Sequence, residues 1–433
     1  MMNFSCYSLI LKNQFNSPIF STSDLFFGNS LHFYSVSCLK HENSFFCSKN
    51  IAFSFKQSMF VEFLSAPIVI DSVKYTDSNY FRYSNHSINN HSSFQTCIFR
   101  KCKNKKHGGN GGAIYYNSEQ GKIVFKNCGF DECLASNSGG AFYINSKKSF
   151  ISNTCIYTCR SLQNNMAFFI RCMNSSYTGH ISMLGIGPDA PSEEKKHFQF
   201  DETTLVLKES NISHSNTLNN DGFMHFSNMK SILIDFVSFF HNGGPGLKQI
   251  TNSLAQNTIS YCNFVENECG EESPMLYFSN TSIELSYCVF SKNNFETFIQ
   301  SPLCNNISFS ECTYDFPKKS IGYDDQIVTF LAFHHQKGTA SYHIVSAPNR
   351  DICFKLDVTK TFMPSSTFML NTISASPSPS IIPSPTIQWL PKYLVLHQYI
   401  LFAIIAISFP FFLCFSKFKD PYKKIRSLND QSF

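Results

Sequence analysis

Short apolar runs separated by turns of Asn, Ser and Gly recur along this chain at intervals of about 24–31 residues. The clearest copies are GGNGGAIYYN (Gly108–Asn117) and SGGAFYIN (Ser138–Asn145), where a Gly-Gly-Ala turn leads into an apolar strand. Glycines of this kind can cradle a phosphate. Here no Lys-Ser or Lys-Thr follows them and no G-x-G-x-x-G is completed. A second apolar segment follows, ending in a Cys-x-Phe element. It is Cys97–Phe99 in FQTCIFRKC, Cys128–Phe130 in FKNCGFDEC and Cys155–Tyr157 in ISNTCIYTC. Further on it is Cys262–Phe264 in SYCNFVEN, Cys288–Phe290 in SYCVFSKN and Cys312–Tyr314 in SECTYDF. Val237–Phe239 and Ser210–Ile212 are weaker copies, and Val73 and Tyr75 open the series. The runs lack a 3.6-residue period and no long helical segment separates them, which argues against a βαβ array.

One geometry satisfies this pattern. If each unit winds once around an axis, equivalent strands stack in parallel about 4.8 Å apart and equivalent side chains form ladders. The predicted fold class is therefore all-β, a parallel β-helix of about eight to ten coils, with one C-terminal transmembrane α-helix. Phe99, Phe130, Tyr157, Phe239, Phe264, Phe290 and Tyr314 are expected in one aromatic stack, with Cys97, Cys128 and Cys155 in a ladder beside it. Gly111, Gly112, Gly139 and Gly140 mark a tight corner, where only Gly accepts positive φ or leaves room for the next coil. Asn267 and Asn293, closing the F-x-x-N elements, suit another corner because Asn tolerates left-handed backbone.

GGAI at Gly111–Ile114, GGAF at Gly139–Phe142, and FVEN and FSKN resemble the repeats of chlamydial polymorphic membrane proteins. They are also similar to repeats in surface proteins of trichomonad-type protists. The resemblance covers roughly Tyr75 to Phe316 and implies a right-handed parallel β-helix with a surface, adhesin-like role. The chain departs from the bacterial pattern in carrying one apolar helix in place of a C-terminal β-barrel. Cys also replaces Asn in FRKC and FDEC.

The expected organisation begins with residues 1–30, whose MMNFSCYSLIL start has no basic n-region and makes a poor signal peptide. Coils fill 31–320, a less regular β region 321–373, and a stiff Ser/Pro stalk 374–392. Residues 393–416 are long and apolar enough to span a bilayer, with Trp389 and Tyr393 at one interface. The tail 417–433, with Lys417, Lys419, Lys423, Lys424 and Arg426, is then cytoplasmic, and the coils lie outside a plasma membrane. Sequons at Asn85, Asn90, Asn174, Asn211, Asn280 and Asn306 are compatible with a glycoprotein. Tyr422 and Ile425 form a Y-x-x-Φ tetrapeptide of the endocytic sorting type, or are simply part of a basic anchor flank.

Composition sharpens this picture. Charged residues are 15% of the chain and hydrophobic ones 43%, so the surface is mainly neutral polar. The net charge is +5, and the tail carries five basic and two acidic residues, leaving about +2 for the rest. That balance is too small to argue for nucleic acid and gives little electrostatic steering, so no nucleic-acid partner is expected. Seventeen cysteines suit an oxidising compartment, and an odd count leaves at least one outside any internal pairing. Three readings of them stand open: buried small hydrophobes in a ladder, disulfides between coils, or zinc ligands, although C-x4-C spacing is unlike zinc pairs.

The expected work is binding to cell-surface or extracellular glycans or proteins, without catalysis or cofactor. RKCKNKK supplies Arg100, Lys101, Lys103, Lys105 and Lys106 as a glycan contact, or as a solvated turn. A structural coat is the alternative, and a polysaccharide-cleaving enzyme the third reading. For the last, the acids are badly placed: adjacent pairs such as Asp201-Glu202, Glu193-Glu194 and Asp324-Asp325 point to opposite faces of a strand. His334-His335 lacks an H-E-x-x-H context.

Overall fold

A computed structural model describes residues 3–347 apart from several short stretches, chiefly 13–17, 23–29, 72–90, 186–197, 216–223 and 318–327. The Ser/Pro segment 374–392, the apolar segment 393–416, the tail with Tyr422 and Ile425, the sequons at Asn85 and Asn90, and Val73 and Tyr75 lie outside the described residues.

Every strand pairing among the described residues is parallel, and each strand pairs with its counterpart about one repeat away. The result is a β-solenoid that starts at Asn3–Tyr7, inside the segment 1–30, and continues to Phe333–His335, past residue 320. No helix occurs among the described residues. One coil illustrates the rest. Ile114–Lys126 runs along one side and bends near Gly121, Gly129–Asp131 forms the next side, and Leu134–Ala135 closes the turn.

Strand periodicity explains the interior. In Ile114–Lys126 the buried side chains are Ile114, Tyr116, Ser118, Ile123 and Phe125, an alternation that reverses phase at the bend. Stacked coils turn these positions into columns. One column runs Phe33, Phe55, Phe94, Phe125 and Ile151. The Phe33 and Phe55 rings lie face to face at 4.6 Å. The column containing Phe99 and Phe130 continues later through Phe239, Phe264 and Phe290, with ring centroids 4.8–5.1 Å apart. Aromatic pairs of this kind contribute about 0.5–1.5 kcal/mol each beyond the burial of their area.

The expected stack needs one correction. The residue in register with Phe130 is Ile156, and Tyr157 stands opposite Asp131 on the outer face. The Cys97–Cys128 ladder likewise continues into Thr154 and not Cys155, whose register partners are Gly129 and Ser182. The coil measures 26 residues there, one fewer than the Cys128-to-Cys155 interval, and a one-residue slip carries a side chain to the opposite face.

Two corner types repeat without glycine. Thr96, Asn127, Asn153, Tyr261 and Tyr287 have φ between 47° and 56° and precede the thiol or hydroxyl ladder. Lys101, Glu132, His241, Glu266 and Lys292, with φ between 51° and 54°, precede the second ladder. Left-handed backbone is therefore borne by the residue before Asn267 and Asn293, not by the asparagines. Each such residue costs of order 1 kcal/mol. Its N–H still reaches the carbonyl of the next coil, as Asn127 N to Ser152 O and Glu266 N to Ser291 O do, so the ladder of hydrogen bonds crosses the corner unbroken.

The glycine corner is tighter. Gly111 and Gly139 have φ of 68° and 69°. A Cβ on Gly112 would lie 2.0 Å from the Gly140 carbonyl oxygen, so the next coil packs directly on that backbone. Gly112→Val should therefore destabilise the solenoid by about 3 kcal/mol or more in denaturant titration. Gly108→Ala, where nothing lies within 4 Å, should cost only about 1 kcal/mol. Equal effects would remove the close-approach explanation.

Candidate functional site

The positions selected from the sequence fall into structural and surface classes. Asn267 and Asn293 belong to an asparagine ladder at the second corner, in which Asn242 and Asn267 are buried and Asn293 is half-buried. Asn242 Nδ2 donates to Asn267 Oδ1 at 3.1 Å, and Asn267 Nδ2 donates to Asn293 Oδ1 at 2.9 Å. The same amides also donate to the Phe239 and Phe264 carbonyls. Cys102, Cys133 and Cys159 occupy the equivalent corner in earlier coils, each just after a left-handed residue. Cys in FRKC and FDEC is thus a smaller filler of the same interior slot, with Sγ donating to the carbonyl two residues back.

The first-corner ladder follows one rule with several residue types. Ser58, Cys97, Cys128, Thr154, Ser210, Cys262 and Cys288 each donate to the carbonyl two positions earlier. Cys155 is disulfide-bonded, and the other described cysteines are not in disulfides. Side chains in a parallel ladder run side by side, whereas a disulfide requires two Cβ atoms turned toward each other. Burial pushes the thiols of Cys97, Cys102, Cys159 and Cys288 well above the usual range. Among the described residues no group of His, Cys, Asp and Glu has the arrangement to hold a metal ion.

The basic turn is largely committed to the neighbouring coil. Arg100 Nε lies 2.9 Å from Asp131 Oδ2, and Lys101 Nζ 3.8 Å from Glu132 Oε2. Lys103 sits in the short strand Lys103–Asn104 opposite Leu134, Lys105 is exposed, and Lys106 lies outside the described residues. Of the acid pairs, Asp201-Glu202 is ion-paired with Arg171, while Glu193-Glu194 and Asp324-Asp325 lie outside the described residues. Asp201 is buried, accepts from Arg171 Nε at 2.8 Å and from Ser227 Oγ at 2.7 Å, and so anchors three coils. Glu311 lies 3.6 Å from His334.

Sequence reasoning missed a groove on the outer face carrying Tyr157. Ser182, Asn211, Ser238 and Asn263 form one column of its floor, and Leu184, Ser213, Phe240 and Val265 the next. The space is about 440 Å³ and is roofed by Tyr342, His343, Val345 and Ala347 of the chain itself. His343 N donates to Asn263 Oδ1 and Asn263 Nδ2 donates to the His343 carbonyl, both at 2.9 Å. His343 Nε2 also donates to the Tyr287 carbonyl at 2.5 Å. A segment without strand periodicity offers no signal that it will lie across earlier coils.

The sequons separate accordingly. Asn174, Asn280 and Asn306 are exposed. Asn211 is half-buried beneath the roofing segment, where an attached glycan has no room unless that segment leaves. A second surface feature also escaped the sequence: His91, Lys122, Lys147 and Lys148 line a pocket of about 460 Å³ with Asn174 at its edge. Its signal was present in QGKIV and SKKSF, since Lys122 and Lys148 are one coil apart.

Among the described residues no helix is long and apolar enough to cross a membrane. Comparison of the chain with known protein families, with curated proteins and with solved structures finds no match.

Two measurements test the ladders. Alkylation should leave Cys97, Cys102, Cys128, Cys133 and Cys288 unlabelled in the folded protein and label them fully in denaturant; rapid native labelling would show that these positions are not interior. Asn267→Leu should cost about 1–3 kcal/mol in equilibrium unfolding, because it strands the amides of Asn242 and Asn293, and an unchanged midpoint would show that the ladder contributes nothing.

Proposed function

We propose that this chain is a single-pass cell-surface protein whose ectodomain, a right-handed parallel β-helix, binds glycans or proteins of other surfaces. The observation that carries the reading is the repetition of outward-facing side chains in straight columns. Tyr115 and Tyr143, both half-buried, stack with centroids 5.5 Å apart, and Tyr143 stacks at 4.7 Å on Phe169, which is itself covered. Phe236, Tyr261 and Tyr287 stack at 4.9 Å with nearly parallel planes. Asn145 Nδ2 donates to Asn117 Oδ1, and Asn117 Nδ2 to Asp71 Oδ1, each at 2.9 Å. A rigid surface that offers the same group at each axial step suits an extended partner with its own repeat, and ordering such a surface on binding costs little entropy.

Three sequence features support the placement: the resemblance to polymorphic membrane protein repeats, the apolar segment 393–416 with its basic flank, and the Ser/Pro stalk before it. The groove under His343 offers amides, hydroxyls and rings, the groups used for hydrogen bonding and stacking in recognition.

The test is carried out on cells expressing the full chain. An antibody against residues 101–107 should label intact cells, a tag after Phe433 should be reached only on permeabilisation, and the cells should gain adhesion to a glycan- or protein-coated surface. External labelling without any gain in adhesion would favour a structural coat. Absence of external labelling despite expression would overturn the proposal.

A further inference from the structure

Stacked charges in this solenoid are complementary from coil to coil. Arg100 faces Asp131, Arg171 faces Asp201 and Lys208 faces Asp235 in direct register. At the corners Lys40 meets Glu62, Lys101 meets Glu132, and Glu266 meets both His241 and Lys292. Among the described residues the rule has exceptions: His225 stands in register with Lys248, and one column is basic through three coils. His91 stands in register with Lys122, and Lys122 with Lys148, so three basic side chains follow one another in successive coils. Lys147 lies beside them where the register shifts between Ser146 and Lys148.

Like charges set directly opposite in adjacent strands repel. None of Lys122, Lys147 and Lys148 has a carboxylate within ion-pairing distance among the described residues, whereas the other stacked cations named above do. These four side chains, with Gln120, Gly121 and Asn174, surround an open pocket of about 460 Å³. Gly121 has a physical reason to be there: a Cβ would meet Tyr116 Oη at 2.1 Å and Ser118 Oγ at 2.8 Å. The missing Cβ lets the bend fold flat over that hydroxyl pair, and Lys122 follows it onto the outer face. Burial, and secondarily the Lys122 ammonium, holds the His91 imidazole below its ordinary pKa. Two coils beyond Asn174, Lys230 Nζ donates to the Met173 carbonyl beside it.

We propose that the column His91–Lys122–Lys148, with Lys147, is a binding site for an acidic polysaccharide, whose sulfate or carboxylate groups run along the solenoid axis and bridge successive ammonium groups. The inference rests on the reading of the solenoid as a binding surface and adds the ligand class and place. The axial spacing of about 4.8 Å brings two ammonium groups within reach of a single oxyanion, so each anionic group contacts two coils at once. This is the interaction the column lacks by itself. An Asn174-linked glycan would stand at the edge of the same pocket and compete for it.

The test uses the full-length protein and three immobilised polymers: dextran sulfate, polygalacturonate and neutral dextran. Lys122→Gln/Lys148→Gln should lose at least about tenfold in affinity for an acidic polymer, equivalent to one charge-assisted contact. Lys101→Gln/Lys105→Gln, with the same change in net charge, should lose much less. The column variant without ligand should melt no lower than the parent, because repulsion is relieved, and the acidic polymer should raise the melting temperature of the parent alone. Lys122→Arg/Lys148→Arg should keep the affinity. Selective loss for dextran sulfate identifies sulfate esters as the ligand groups, and selective loss for polygalacturonate identifies carboxylates. Equal losses in the two Gln variants, or no loss in the column variant, would overturn the proposal. Neither result bears on cell-surface exposure or on adhesion to neutral ligands, so the failure of this site and of the general reading remain separable.

Discussion

In-register parallel stacking is the constraint from which the rest of this structure follows. Each coil donates its backbone hydrogen bonds to the next, and that continuity extends through the corners, as the Asn127 and Glu266 N–H groups show. Once backbone groups are paired from coil to coil, equivalent side chains have no freedom to avoid one another. A position must then be filled by residues that tolerate a copy of themselves directly above and below. Phe does so by face-to-face stacking, Asn by amide-to-amide hydrogen bonds, and Cys, Ser and Thr by bonding back to their own strand.

The corners show why such different residues serve one role. A left-handed residue redirects the chain and leaves the following side chain pointing into a narrow interior angle. That slot holds one small side chain with a donor that can satisfy a local carbonyl. Cys128 and Thr154 meet the condition in adjacent coils, and Ser210 meets it further on. The abundance of cysteine thus reflects a repeated packing requirement, and most of the described thiols are free. The glycine corner is the opposite case, because there the next coil rests on the backbone itself and no side chain fits at Gly112.

The same constraint acts on the outside as a selection on charge. Alternating signs in register turn an unavoidable proximity into an attraction, as with Arg171 and Asp201. Exposed pairs of this kind contribute little stability individually, so their effect is chiefly to avoid repulsion and hold register. Against that background the column of Lys122 and Lys148 sets like charges in register without a carboxylate beside them among the described residues, which is the observation behind the proposed anionic ligand.

The repeat, its parallel winding and its glycine corner were legible in the chain, because period-two alternation and the conformational demands at Gly111 and Gly139 are local properties. Phe99 over Phe130 and Phe264 over Phe290 were legible for the same reason. What only the tertiary structure decided was how coils of unequal length align. Length changes fall at the bends, as between Ser118 and Lys122, so counting residues from one motif to the next misplaces Cys155 and Tyr157 by one position. That single step carries Tyr157 from the interior to the wall of a groove. The neutralisation of Arg100 by Asp131, the closure of the groove by His343 and the meeting of Lys122 with Lys148 depend on the same alignment. Local sequence sets which way each side chain alternates, but only the stacking of one coil on the next determines its neighbour.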